Sequence, residues 1–195
     1  MKIKILIPVY NDWQSVVKLL ENINSEVSSL SHDFSIIIVN DASTENKPEI
    51  SLNLDNLKSI KIINMNNNYG HARCNATGLK YIIEKEEFDY VIPMDGDGED
   101  RPEEIKQFLD NLNYNPDKPI VGERIKRSEG IFFKFCYFAH KLILFTFAGE
   151  SIKYGNYTCL PKTVVEKMVN EKATWSSFSG ALAKVEKDRA GVPSE

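Results

Sequence analysis

Four acidic side chains fall close together in Asp95-Gly96-Asp97-Gly98-Glu99-Asp100. Two carboxylates separated by one glycine in a tight loop can converge on a single cation, with Glu99 and Asp100 close behind. Oxygen-only ligands favour magnesium, manganese or calcium over zinc. An EF-hand loop beginning at Asp95 fails, because its sixth residue is Asp100 instead of glycine and its twelfth is Lys106 instead of glutamate. Magnesium or manganese is therefore the expected ion, with Asp95 and Asp97 as candidate ligands. The same residues also suit a solvated acidic turn that caps a helix opening at Pro102.

Other clusters carry groups of interest. Pro8-Val9-Tyr10-Asn11 can cradle a nucleotide or simply turn the chain. Asp41 directly follows the apolar run Phe34-Ser35-Ile36-Ile37-Ile38-Val39-Asn40. A carboxylate there can accept from the imide or ring N–H of a uracil or guanine base. It can equally cap a helix or form a turn with Ser43. The segment from Asn66 through Asn68, Tyr69, Gly70 and His71 to Arg73 opens a helix whose N–H groups and arginine can meet an anion. Its asparagines and glycine also suit a plain loop, with His71 as a partly buried cap. Glu123-Arg124-Ile125-Lys126-Arg127 is a basic run. Arginines grip phosphates in bidentate fashion, and a solvated loop has the same composition.

The elements that must position these groups follow from hydrophobic patterning. Ile3–Val9, Phe34–Asn40, Ile60–Met65 and Phe88–Met94 are short apolar runs that predict buried strands, and Ile120-Val121 predicts a shorter fifth. Between them, Trp13, Val16, Val17, Leu20, Ile23 and Val27 recur at helical spacing, with Asn11 or Asp12 as cap. Ala72, Ala76, Leu79, Ile82 and Ile83 mark a second helix. Pro102 suits a first helical position ahead of Ile105, Phe108, Leu109 and Leu112. Strands alternating with helices predict an α/β fold with a mainly parallel sheet flanked by helices. Ligands of such sheets bind outside the carboxyl ends of the strands, and every polar cluster named above falls at one of those ends.

The 195 residues are 42% hydrophobic and 27% charged, with a formal net charge of -4. These values suit one α/β domain and give no reason to expect nucleic acid as a partner. Three widely spaced cysteines, Cys74, Cys136 and Cys159, argue against a disulfide framework and fit a reducing cytoplasm. Met1 runs straight into a strand, so no signal peptide is expected. Residues 131–149, IFFKFCYFAHKLILFTFAG, are apolar and aromatic almost all round, with Lys134 and Lys141 on one helical face beside His140. That pattern suits a helix lying in a membrane interface. A core helix or a subunit contact would read the same way, whereas a membrane span is disfavoured by its central charges.

Taken in order, these clusters resemble family 2 glycosyltransferases, and among them the polyprenyl-phosphate sugar transferases related to dolichol-phosphate mannose synthase. The resemblance rests on Pro8-Val9-Tyr10-Asn11, Val39-Asn40-Asp41-Ala42-Ser43, Asn68-Tyr69-Gly70-His71 with Ala76 and Gly78, Met94-Asp95-Gly96-Asp97, Asp100-Arg101-Pro102-Glu103, Gly122-Glu123-Arg124 and Gly155-Asn156-Tyr157. It implies a single GT-A domain over residues 1–170, with a C-terminal helix and tail at 171–195. It implies metal-dependent, inverting transfer of a sugar from a UDP- or GDP-sugar. The acceptor would be a polyprenyl phosphate at the membrane surface, or a hydroxyl of a glycan or polysaccharide.

The resemblance also distributes roles. Asp41 would meet the base, while Pro8, Tyr10, Asn11, Asn68, Gly70 and His71 would line the nucleotide-sugar site. Asp95 and Asp97 would take ribose, diphosphate and metal, with Glu99 near the metal. Arg124 and Arg127 would face phosphates. Asp97, Asp100 and Arg124 are the catalytic candidates, Asp100 as general base if the acceptor is a hydroxyl. A cytoplasmic protein touching the inner face of the membrane through 131–149 is expected. The family often carries D-x-D-L-Q-[DH]-P-P-E, and Glu99 departs from that pattern. Relatives also continue into a basic segment and membrane helices, so a truncated, non-catalytic nucleotide- or membrane-binding relative is the alternative. A nucleotidyltransferase is disfavoured, because Pro8–Asn11 stands where its glycine-rich loop belongs.

Overall fold

The computed structural model describes residues 1–50, 53–124 and 154–194, with Arg124 described in its backbone alone. The expectations for Arg127 and for residues 131–149 lie outside that set. The described residues build a sheet of seven strands: β1 (Lys2–Val9), β2 (Asp33–Asn40), β3 (Leu57–Asn64), β4 (Tyr90–Pro93), β5 (Ile120–Arg124), β6 (Tyr154–Pro161) and β7 (Ala190–Ser194). Their order across the sheet is β3-β2-β1-β4-β6-β5-β7. β3, β2, β1 and β4 run parallel, β6 runs antiparallel to both β4 and β5, and β7 is parallel to β5. The mainly parallel α/β architecture expected from the sequence is present.

Alternation along the central strands feeds two cores. Ile3, Ile5, Ile7 and Val9 of β1, with Phe34, Ile36 and Ile38 of β2, face helices α1 (Trp13–Glu26) and α3 (Ile105–Leu112). Leu6, Ile37 and Val39 face α2 (His71–Lys85), α4 (Lys162–Asn170) and α5 (Phe178–Val185). Both faces are covered, which is why these strands read as continuous apolar runs. Gly78 lets α2 sit directly on β1, since a Cβ there would lie 2.2 Å from Leu6 Cδ1.

Local signals set the helix starts. Asp12 caps α1 by accepting the Ser15 N–H at 3.3 Å. Pro102 begins a short 3-10 turn that runs into α3. Ser177 caps α5 through the Gly180 N–H. In the C-terminal region Phe178–Val185 is helical, and Ala190–Ser194 joins the sheet as β7 alongside β5. No helix of the described residues is long and apolar enough to cross a membrane.

Candidate active site

Because β1 to β4 run parallel, their carboxyl ends share one edge, and the side chains there tie the strand ends together. Asn11, at φ 50°, donates its N–H to Ser43 Oγ at 3.0 Å. Its Oδ1 accepts the N–H groups of Thr44 (2.7 Å) and Glu45 (3.2 Å), and its Nδ2 donates to Thr44 Oγ1 (3.0 Å). The Asn11 amide therefore staples the β1 and β2 loops. It is not among the residues that line the cleft described below.

Asp41 is likewise committed inward. It is only 3% exposed, and its two carboxylate oxygens accept the N–H groups of Tyr69 and Gly70, each at 2.8 Å. Gly70 is the N-cap of α2, so Asp41 holds the start of that helix against the end of β2. Those amides are consequently not available to an anion. Next to this carboxylate the buried thiol of Cys74 is pushed up to about 12, chiefly by desolvation and further by the Asp41 charge.

The acidic loop after β4 is shaped by its own carboxylates. Asp100, 8% exposed, accepts the Asp95 N–H at 2.7 Å and closes the loop on itself. Asp97 Oδ1 accepts the Glu99 N–H at 2.9 Å. Gly96 is required by close approach, since a Cβ there would stand 2.9 Å from the Pro8 carbonyl oxygen. His71 Nε2 lies 2.8 Å from Asp95 Oδ1, linking the α2 start to the acidic loop. The hydrogen bond to Asp95 raises the His71 pKa, against an opposing desolvation effect.

These elements enclose a cleft of about 200 Å³ lined by Pro8, Val9, Tyr10, Asp12, His71, Asp95, Gly96 and Asp97. Of the residues singled out in the sequence, Pro8, Tyr10, His71, Asp95 and Asp97 meet here. Asn68 is exposed in the loop before α2 and is absent from the lining, as are Glu99 and Asp100. Two neighbours of the acidic residues went unassigned in the sequence. Asp12 lines the cleft besides capping α1. Asn156 of β6 points Nδ2 at Asp95 Oδ1, 3.5 Å away. Asn156 had a signal in the Gly155-Asn156-Tyr157 cluster, but only the antiparallel placement of β6 brings it to β4.

The arrangement bears on a cation. Among the described residues no group of three His, Cys, Asp or Glu side chains is gathered to hold a metal. The three-carboxylate set of Asp95, Asp97 and Glu99 therefore does not form, because the turn through Gly98 (φ 84°) leaves Glu99 exposed and outside the cleft. Two carboxylates, Asp95 and Asp97, do line one cleft. Magnesium and manganese are commonly held by one or two carboxylates together with the phosphates of a substrate, so the residues fit a shared cation and not an all-protein cage.

Comparison with known proteins agrees with this architecture. The structure of mannosyltransferase PcManGT from Pyrobaculum calidifontis, in complex with GDP-Man and Mn2+, superposes with a TM-score of 0.65 at 15% identity, over 98% of this chain and 54% of that one. S. aureus TarS gives a TM-score of 0.65 at 13% identity, over 99% of this chain and 35% of that one. In sequence, the undecaprenyl-phosphate 4-deoxy-4-formamido-L-arabinose transferase of Yersinia enterocolitica is 28% identical over 183 residues, covering 89% of this chain and 54% of that protein. Its Proteus mirabilis counterpart is 30% identical over 165 residues, covering 82% and 47%. The chain thus spans about half the length of these curated relatives. The sequence profile of glycosyl transferase family 2 matches residues 4–164, from β1 through the start of α4 and across the whole cleft, and the chain belongs to that family.

Proposed function

We propose that the protein transfers a sugar from a UDP- or GDP-sugar to a polyprenyl phosphate at a membrane surface. The observation that carries this reading is the cleft at the carboxyl ends of β1 and β4, where Asp95 and Asp97 face Pro8 and Tyr10. Tyr10 is 48% exposed on the wall and offers a ring for the nucleoside. Asp41 shapes that wall indirectly, by fixing Tyr69 and Gly70. Asp95 and Asp97 would hold a magnesium or manganese ion, which as a Lewis acid stabilises the departing diphosphate. Arg124 and Arg127 are proposed phosphate partners on the strength of the sequence alone, and 131–149 is proposed to touch the membrane.

The choice of a phosphate acceptor draws on the similarity to undecaprenyl-phosphate transferases. A lipid phosphate is already anionic at neutral pH, so direct displacement at the anomeric carbon, with inversion, needs alignment more than proton removal. Asp100, the candidate base for a hydroxyl acceptor, instead braces the loop through the Asp95 N–H. Purified protein incubated with UDP- or GDP-sugars, manganese and a short polyprenyl phosphate is expected to release nucleoside diphosphate. Asp97→Ala is expected to slow that release about a hundredfold or more. Equal release by wild type and variant would overturn the role of Asp97, and no lipid-dependent release with any donor would overturn the reading.

A further inference from the structure

The cluster Gly155-Asn156-Tyr157 has no part in the chemistry above, yet it lies against the acidic loop at both of its ends. β6 pairs antiparallel with β4 through Tyr90 opposite Pro161 and Val91 opposite Leu160. That pairing brings the first half of β6, with Asn156 and Tyr157, beside the loop that follows β4. Asn156 reaches Asp95 Oδ1, where the loop starts. Tyr157 donates its hydroxyl to the Arg101 carbonyl at 2.6 Å, where the loop ends. The ring of Tyr157 is 4% exposed and stands edge-on to Phe108 of α3, with centroids 4.8 Å apart and planes at 85°.

We propose that Asn156 and Tyr157 are the positioning residues of the acidic loop, holding its two ends at the separation that lets Asp95 and Asp97 share one cation with a diphosphate. The inference rests on the cation-and-diphosphate reading of the cleft. Tyr157 is rigid because its ring is packed on all but a small fraction of its surface, and a packed side chain transmits position to what it bonds. Burial holds its phenol well above the ordinary range, so the hydroxyl stays a donor at every pH at which the protein would be assayed. The Arg101 carbonyl also accepts the Glu104 N–H at 3.1 Å, so the same oxygen fixes both the loop end and the turn leading into α3. Two strands that the chain reaches more than fifty residues apart are thereby coupled at the site.

The test compares wild type, Tyr157→Phe and Asn156→Ala by residue-resolved hydrogen exchange and by manganese-dependent binding of UDP and GDP. Tyr157→Phe removes one oxygen and keeps the ring, and Asn156→Ala alters a half-buried side chain, so both are expected to fold. Tyr157→Phe is expected to speed exchange of the Asp95 to Arg101 amides about tenfold, leave β1 and β2 protection unchanged, and weaken manganese-dependent nucleotide binding about fivefold. Asn156→Ala is expected to speed exchange at Asp95 more than at Arg101. Wild-type exchange across the loop in both variants would overturn the proposal, as would acceleration spread evenly over β6 and α3. If wild type binds neither nucleotide with manganese, the sugar-transfer reading fails, and the exchange comparison still decides whether these two residues hold the loop.

Discussion

At the scale of single residues, the site is built from carboxylates that do unlike things at neighbouring strand ends. Asp41 and Asp100 are buried and accept backbone N–H groups, while Asp97 is exposed at the cleft. Burial and acceptor geometry make the first two braces, because a carboxylate satisfied by backbone amides stabilises the loop it closes. Asp100→Asn keeps an amide oxygen for the Asp95 N–H, whereas Asp100→Ala leaves that buried donor without its acceptor. Turnover by Asp100→Asn is therefore expected within about tenfold of wild type, with Asp100→Ala much lower. A general base would lose about a hundredfold or more in both variants, so equally severe losses would restore the base assignment.

At the scale of elements, the loops work because the strands under them are fixed. Gly96 lies against the Pro8 carbonyl, and backbone cannot yield as a side-chain tip can. Gly96→Ala is expected to push the acidic loop off β1 and weaken manganese-dependent nucleotide binding about tenfold or more. Its unfolding midpoint should fall only a few degrees, since overpacking typically costs about 1–3 kcal/mol; calorimetric titration and melting curves of the same preparation check both. The five strands that the sequence announced were announced by apolar runs, and the structure moves their ends by a few residues: Phe88–Met94 narrows to Tyr90–Pro93, and Ile120-Val121 lengthens to Ile120–Arg124. Legibility stopped where pairing depends on distant chain. β6 carries Gly155 and Asn156 in its first half, and β7 carries Gly191 and Pro193, so neither shows a strand pattern until it lies beside β5. In the site, residue types and strand-end position revealed Pro8, Tyr10, His71, Asp95 and Asp97. Hydrogen-bond commitment did not show in the sequence: the backbone N–H groups that Asn11, Asp41 and Asp100 accept, and the approach of Asn156 to Asp95, appear only in the fold.

At the scale of the whole molecule, the edge of the sheet opposite the cleft is locked by charge. Lys4, 8% exposed within β1, donates to Glu86 at 2.9 Å, and Lys61 of β3 reaches the other Glu86 oxygen at 2.5 Å. Glu86 follows directly on α2, so one carboxylate joins helix, β1 and β3. Desolvation acts to raise its pKa, but the hydrogen bonds from Lys61 and Lys4 outweigh it and hold the carboxyl below its usual range. A group whose folded pKa is depressed stabilises the protein above its unfolded pKa and loses that contribution as pH falls through the folded value. Glu86→Gln is expected to cost about 2 kcal/mol near neutral pH, because Lys4 stays nearly buried without its counter-charge. That corresponds to roughly 4–8 °C in melting temperature. The gap between variant and wild type should narrow as pH is lowered below the ordinary glutamate value of about 4.3; a gap unchanged down to pH 3 would show that the cost does not come from the Glu86 charge.

The most direct measurement is the melting temperature of the purified chain with UDP or GDP, in manganese and in chelator, for wild type and Asp97→Ala. A ligand held by the folded state alone raises stability by about 2.7 kcal/mol at a hundred times its dissociation constant. Wild type is expected to melt several degrees higher with nucleotide and manganese together, and to show little shift with nucleotide in chelator. Asp97→Ala is expected to lose the manganese-dependent part. An equal nucleotide shift in manganese and chelator, or the same manganese-dependent shift in Asp97→Ala, would contradict a cation shared between the acidic loop and a diphosphate.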